Sequence, residues 1–410
     1  MAIVTVLGAH ASVVPLTYGS GENAALAAQI AAAISAGVAN GTIIPADSAF
    51  GPPPPLPAGK VGEFVASTNS VTFLPSGYND VVDAAAQAVI FGSGGPNEQI
   101  LAGGGNLTFD ATGGNGSIVT GDGNNQIVVP ATDSGNWLIN TGAGNDTIRA
   151  LGSGDDSISA GTGNNYIQLG SGSTEIASEG SDTIYAGSGS ETIGAVQIGS
   201  SPATDVVYGN SSMLLLFADG GSTVFGGTGS DTVFGGTGPD LLEGGSAGNN
   251  FLQAGSGPAT LFAGGNNDQL YAGGSDPQAL HAASGNETLF GGAASGQDTF
   301  YAGSGSDQIT GSTGQTTFVF GTGNATITAI PNVSTTFFDA IKGQAGGNDL
   351  VNGLTNASQL NISLSGYGSN EAMHALNNQT TNGSSVTITL TDGTTVTFAN
   401  ITHLTSSNFS

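Results

Sequence analysis

GGTGSDTVF at Gly226–Phe234, followed at once by GGTGPDLLE at Gly235–Glu243, sets a nine-residue beat. Each unit offers a glycine-rich turn, an acidic slot (Asp231, Asp240) and an apolar residue (Val233, Leu242) between two outward positions. Glycine tolerates the positive φ that a tight reversal needs. A short strand then points one side chain inward and its neighbours outward. One nonapeptide cannot bury its apolar residue alone, but a stack of them buries all in a continuous column. The beat therefore predicts an all-β chain wound as a parallel β-solenoid.

The same phase extends in both directions. Before Gly194 the apolar slots are Ile148, Ile158, Ile167, Ile176, Ile184 and Ile193. Gly194–Ala218 interrupts the pattern. It resumes with Val224 and runs through Leu252, Leu261, Leu270, Leu280, Leu289, Phe300, Ile309 and Phe318 to Ile327. Earlier turns are imperfect: Gly103-Gly104-Gly105 leads to Leu107, Gly113-Gly114 to Ile118 and Gly121-Asp122-Gly123 to Ile127. The solenoid is placed at residues 61–330.

Composition limits what such a chain can do. Of 410 residues 70 are glycine, which excludes long helices as the main fabric. Thirty acidic residues face three basic ones, Lys60, Arg149 and Lys342, for a formal charge of −27. Nucleic acid and anionic membrane surfaces are poor partners for that charge, and cations are good ones. Most carboxylates have no protein counter-ion, so metal is the natural substitute, with solubility alone as the plainer alternative. There is no cysteine, which excludes disulfides, zinc–thiolate sites and thiol catalysis. The longest apolar run, Met213–Ala218, is far too short to span a bilayer.

The repeated pattern GGxGxDxUx, with U apolar, resembles the calcium-binding repeats-in-toxin (RTX) family over roughly residues 90–330. The resemblance implies a right-handed parallel β-roll with Ca2+ between stacked turns, bound by backbone carbonyls and turn carboxylates. Hard oxygen donors of this kind suit calcium. Carried onto this sequence, the metal-ligating residues are Asp146, Asp156, Asp182, Asp231, Asp240, Asp268, Asp298 and Asp307, with Glu191 and Glu287 as variants. Asn165, Thr174, Asn250, Ala259, Gln278, Thr316 and Ala325 stand in the same slot elsewhere. Asp, Asn and Thr also cap turns through backbone N–H groups, and for Asn165, Asn250 and the threonines that reading stands level with metal binding. In a β-roll two nonapeptides make one coil, so alternate units share an edge. One edge of the later block then reads Asp231, Asn250, Asp268, Glu287, Asp307, and the other Asp240, Ala259, Gln278, Asp298, Thr316. The expectation is a roll rich in calcium along the first edge and sparsely loaded along the second.

The ends differ from the middle. Residues 1–60 read as a separate segment. Its Ala-rich helix, Glu22–Ala39, places Leu26, Ile30 and Ile34 on one face, with Gly37 and Gly41 expected to end it. Pro52–Pro55 reads as a stiff linker or docking strap. The segment is a cap, an assembly arm or an inert leader. Residues 331–410 read as a β-rich C-terminal cap over the last strand edges. There Asp339–Leu354 is irregular, Asn370–Leu376 a short helix and Ser385–Phe398 a hairpin around Asp392-Gly393. The N-terminus lacks the basic region of a cleaved signal peptide. The family leaves bacterial cells by type I secretion with an uncleaved C-terminal signal, and the uncharged tail Ile401–Ser410 is similar to one.

No catalytic constellation emerges. His10, His281, His374 and His403 lack metal-ligand spacing to one another, and no serine sits in a nucleophile elbow. No catalytic or organic-cofactor residue is assigned, and the chain reads as a non-enzyme. The outward positions read Phe234, Gln253, Tyr271, Phe290 and Thr310 on one face and Phe225, Glu243, Phe262, His281 and Tyr301 on the other, so aromatics recur on both. Such rows favour a secreted bacterial structural protein that folds on calcium and self-associates into a surface layer, filament or matrix. The second reading is an adhesin or carbohydrate-binding module that uses the same rows for cell-surface or matrix polysaccharide. Neither reading involves nucleic acid or membrane insertion.

Overall fold

The computed structural model describes residues 1–19, 21–195, 204–210, 214–331 and 335–410. Contacts divide the chain into two units, Met1–Leu215 and Leu216–Ser410. Part of the interruption expected over Gly194–Ala218 falls outside the described residues.

The first unit opens with an antiparallel hairpin, β1 (Ala2–Leu7) and β2 (Val13–Tyr18), followed by α1 (Glu22–Asn40). Gly41 ends α1 in the left-handed conformation (φ 74°), its N–H returning to the Gly37 and Val38 carbonyls. Gly37 lies within the helix rather than ending it. A Cβ there would lie 2.3 Å from Ile43 Cδ1, so its smallness lets the chain double back closely. The alternation Val4, Val6 and Val14, Leu16, Tyr18 gives the hairpin one apolar face. That face and Ala27, Ile30, Ala31 and Ile34 of α1 pack onto Val65, Val82, Leu101 and Val119 of the solenoid wall.

The winding starts earlier than expected. β3 (Ile43–Asp47) pairs in parallel with β4 (Val61–Ala66), and β4 with β6 (Asp80–Asp83). Pro52–Pro55 therefore lies inside a coil. It is held there by the Tyr78 hydroxyl, which donates to the Pro54 carbonyl at 2.7 Å. β5 (Val71–Phe73) opens the opposite wall. From there each coil contributes one strand to each of two parallel sheets. Ile127, Ile148, Ile167, Ile184 and Val207 stack in one inward column, and Ile100, Ile118, Ile139, Ile158, Ile176 and Ile193 in the other. All are at most 1 % exposed.

The second unit repeats the plan. Val233, Leu252, Leu270, Leu289, Ile309, Ile327 and Val351 form one column, and Val224, Leu242, Leu261, Leu280, Phe300, Phe318, Phe338 and Ile362 the other. Each fully buried side chain is worth roughly 1.5–3 kcal/mol. Winding continues past Pro331. Thr336–Ile341, Asn348–Asn352 and Leu360–Ser365 keep the parallel register, so two pieces of the stretch Asp339–Leu354 expected to be irregular are strand, joined by a turn. Longer connections replace the nonapeptide turns there, which hides the period from the sequence.

The remaining cap follows the sequence. α2 (Glu371–Asn377) precedes an antiparallel hairpin of Ser385–Thr389 with Thr395–Phe398, whose second strand adds in parallel to Asn348–Asn352. The tail lies on the outer edge of Leu360–Ser365, where Phe409 bridges Ile362 and the Ser410 N–H donates to the Ile362 carbonyl. Among the described residues no helix is long and apolar enough to cross a membrane.

Candidate metal centre

The acidic slots sit where each turn enters its strand, and the strand register stacks them in alternate units. In the first unit one edge carries Asn125, Asp146, Asn165, Asp182 and Asp205. Each backbone N–H in this series donates to the slot oxygen of the next coil: Asn125 to Asp146 Oδ1 (2.7 Å), Asp146 to Asn165 Oδ1 (2.9 Å), Asn165 to Asp182 Oδ1 (2.8 Å) and Asp182 to Asp205 Oδ1 (2.9 Å). The opposite edge carries Asp156, Thr174 and Glu191, and Asp156 Oδ1 takes the Trp137 N–H.

In the second unit the richer edge runs Asp231, Asn250, Asp268, Glu287, Asp307, Ala325 and Asp349. Its rungs join Asp231 N–H to Asn250 Oδ1, Asn250 to Asp268 Oδ1, Glu287 to Asp307 Oδ1 and Ala325 to Asp349 Oδ1. The other edge runs Ser222, Asp240, Ala259, Gln278, Asp298 and Thr316, with rungs from Ser222 to Asp240 Oδ1 and from Gln278 to Asp298 Oδ1. All ten carboxylates expected from the sequence occupy this stacked, buried position. Asp205 and Asp349 belong to it as well. They escaped because their coils are long: Asp205 lies 23 residues after Asp182, and Asp349 lies 24 after Ala325.

At each of these rungs one oxygen of the slot residue therefore caps the coil before it, whether the residue is Asp or Asn. The second polar atom distinguishes the two. Asn165 and Asn250 turn their amides to backbone carbonyls of their own turns, Ala160 at 3.1 Å and Gly245 at 2.6 Å. Asp240, Asp268 and Asp307 turn their second oxygen to turn N–H groups, at Gly236, at Gly264 and Gly265, and at Gly303, while Glu287 and Glu191 accept from the N–H of Ala283 and of Gly187 in their own turns. Capping is thus real at every rung named, and at Asn165 and Asn250 it accounts for all the side-chain polar atoms.

It does not account for every carboxylate oxygen. Asp146 Oδ2, Glu287 Oε1 and Asp349 Oδ2 are buried without a hydrogen-bond partner. An ionised oxygen in that state is costly unless a cation meets it. Burial accordingly pushes the Glu191 and Asp349 carboxyls up to about 7 and those of Asp156 and Asp205 up to about 6. Burial, then the charge of Asp307, pushes Glu287 up to about 8. Burial also raises Asp146, Asp182, Asp240 and Asp298. Among the described residues no carboxylate pairs with Lys60, Arg149 or Lys342. Nor do three acidic or histidine side chains converge on one point. A metal held here takes the rest of its oxygens from the turn backbones, which lie close together: a Cβ on Gly163 would sit 1.7 Å from the Gly144 carbonyl oxygen. Orphaned carboxylate oxygens, turn carbonyls and the absence of nitrogen or sulfur donors fit Ca2+. Calcium bound there would supply the positive charge that the protein lacks.

The histidines take no part in this arrangement. His281 lies stacked between Phe262 and Tyr301, with ring centroids 4.4 and 4.0 Å away, and burial lowers its pKa.

The family model of the RTX calcium-binding nonapeptide repeat matches residues 133–152, 151–173, 176–195, 225–247, 244–277, 281–318 and 294–327. A search of curated proteins found no match. The matched segments contain all ten expected ligand residues and lie on the coils whose slots stack as described. The repeat region of this chain is a calcium-binding β-roll of RTX nonapeptides.

Proposed function

We propose that this is a non-enzymatic, secreted structural protein of a bacterium that folds on calcium outside the cell and associates with copies of itself into a layer, filament or matrix. The aromatic columns on its outer walls carry the reading. In the first unit Tyr166, Tyr185 and Tyr208 follow one another at 5.4 and 4.8 Å. In the second unit Phe217, Phe234, Phe251, Tyr271 and Phe290 follow at 5.0 to 5.6 Å, and Phe262, His281 and Tyr301 form a third column. Tyr185 and Tyr208, Phe217 and Phe234, and Phe262, His281 and Tyr301 stack within 22° of parallel and cover one another's faces, while the other neighbours are tilted by 31 to 57°. The stacked faces are covered by the neighbouring ring, and the columns still leave Tyr185 38 % and Phe290 41 % exposed. A sugar ring stacks on a free aromatic face, so the columns suit polysaccharide less well than they suit another flat, apolar wall. That favours self-association over the adhesin reading.

Calcium at about millimolar levels outside cells would turn binding free energy into folding free energy. Electron microscopy of the purified chain with calcium tests the proposal. Ordered polymers that disperse in chelator are expected. A monodisperse particle that binds glycans at every concentration would overturn it.

A further inference from the structure

Two carboxylates outside the repeats pose the same problem in sharper form. Glu63 on β4 and Asp80 on β6 are Cα partners on neighbouring parallel strands, so they leave the same face of the sheet one rung apart. That spacing is about 5 Å. Glu63 is fully buried and Asp80 is 6 % exposed. Both carboxylate oxygens of Glu63 lie out of water without a hydrogen-bond partner.

The groups that could have answered them are engaged elsewhere. The Tyr78 hydroxyl donates to the Pro54 carbonyl, and the Lys60 ammonium, three residues from Glu63, donates to the Gly41 carbonyl at 2.6 Å. Asp47, on the strand flanking β4, adds a further negative charge, and its Oδ1 already accepts from the Ala49 N–H and the Ser67 hydroxyl. Burial first, then the charges of Asp80 and Asp47, pushes Glu63 up to about 8, and burial pushes Asp80 up to about 7. The sequence gives no hint of the pair. The two residues are 17 apart, in a region without the glycine beat, and only the register of β4 and β6 brings them together.

We infer that Glu63 and Asp80 together hold one oxygen-seeking divalent cation, Ca2+, against the wall of the first coils, at a site separate from the repeat turns. Two carboxylates balance its charge, and water or backbone oxygen completes its shell. The ion stands where a lysine or arginine would stand in a less acidic chain. It fastens β4 to β6. The inference does not depend on self-assembly. Its competing occupant is a single proton shared by the two carboxyls.

The test compares the full-length chain with Glu63→Gln, Asp80→Asn and the double variant. Calcium is the only added ligand. Native mass spectrometry reads its stoichiometry, and hydrogen exchange reads residues 61–83 and 225–327 separately. The expected result is one calcium fewer in the double variant, with calcium-dependent protection lost over 61–83 and kept over 225–327. Equal stoichiometry in wild type and variant overturns the inference and leaves the shared proton. If the double variant fails to fold its first coils, anomalous scattering from Mn2+ in wild-type crystals decides. A peak between Glu63 and Asp80 supports the site, and none there overturns it.

Discussion

Asn250 contacts a single oxygen of Asp268 twice: its backbone N–H reaches Asp268 Oδ1 at 2.7 Å and its side-chain amide reaches the same atom at 2.9 Å. One carboxylate oxygen thus fastens both the backbone and the side chain of the coil before it. The Asn250 amide also donates to the Gly245 carbonyl. At this rung the protein supplies with an amide what a cation supplies between two carboxylates.

Asn250→Asp should reverse that economy. The substitution removes two donated hydrogen bonds and sets a second negative charge against Asp268. Stability in chelator should fall by about 1–3 kcal/mol, while the stabilisation gained on adding calcium should grow. Thermal melts with and without calcium measure both terms. An equal loss in the two conditions would mean that the slot is a cap alone.

Without calcium, the pH dependence should oppose ordinary acid denaturation. Glu287 at about 8, Glu191 and Asp349 at about 7, and Asp156 and Asp205 at about 6 all lie above the value near 4 of an unfolded chain. The folded state therefore binds protons that the unfolded state releases. Their contribution is complete below about pH 4 and is lost as pH rises through 6 to 8. In chelator, circular dichroism should show a chain largely unfolded at pH 8 that gains β structure toward pH 5. Calcium should abolish that dependence and release protons as it binds. A calcium-free chain fully folded at pH 8 would contradict this.

Calcium should distribute unevenly over the second unit. The edge of Asp231, Asn250, Asp268, Glu287 and Asp307 should hold more ions than that of Asp240, Ala259, Gln278, Asp298 and Thr316. Anomalous difference maps from calcium- or lanthanide-loaded crystals count them directly. Equal occupancy of the two edges would contradict the expectation.

Turn glycines and inward residues should fail differently. Gly163→Ala sets a Cβ 1.7 Å from the Gly144 oxygen at a φ of 137°, so the turns must part and calcium should bind more weakly at that level. Leu270→Ala, in the buried column, should cost about 2–5 kcal/mol and leave calcium stoichiometry unchanged. Denaturant melts and calcium titrations of the two variants separate the effects.

Much of this molecule was legible because its signals are local and repeat. All the apolar slots from Ile148 to Ile327 point inward, since the nine-residue spacing fixes the phase of each short strand. The pairing of alternate slots followed from the same period. Asp392-Gly393 marked the terminal hairpin correctly because turn chemistry is local too. What escaped depends on contacts distant in sequence. The hairpin of β1 and β2 has no glycine beat and becomes a covering layer only against Val82 and Leu101. The coils after Pro331 keep their register through connections too long to betray a period, which is why Asp349 was missed. The aromatic rows were visible as residues, but their mutual stacking needed the coil spacing.

The alternation of nonapeptides between two walls has a consequence for how such a chain can change length. Gain or loss of one nonapeptide sends every later slot to the opposite wall, dividing the run from Asp231 to Asp307 between two edges. Gain or loss of a pair leaves every column in place. The protein can therefore grow or shrink in even steps at little cost, while an odd step scrambles its mineral edge without disturbing a single turn. Parity, more than total length, is what the repeat count must preserve.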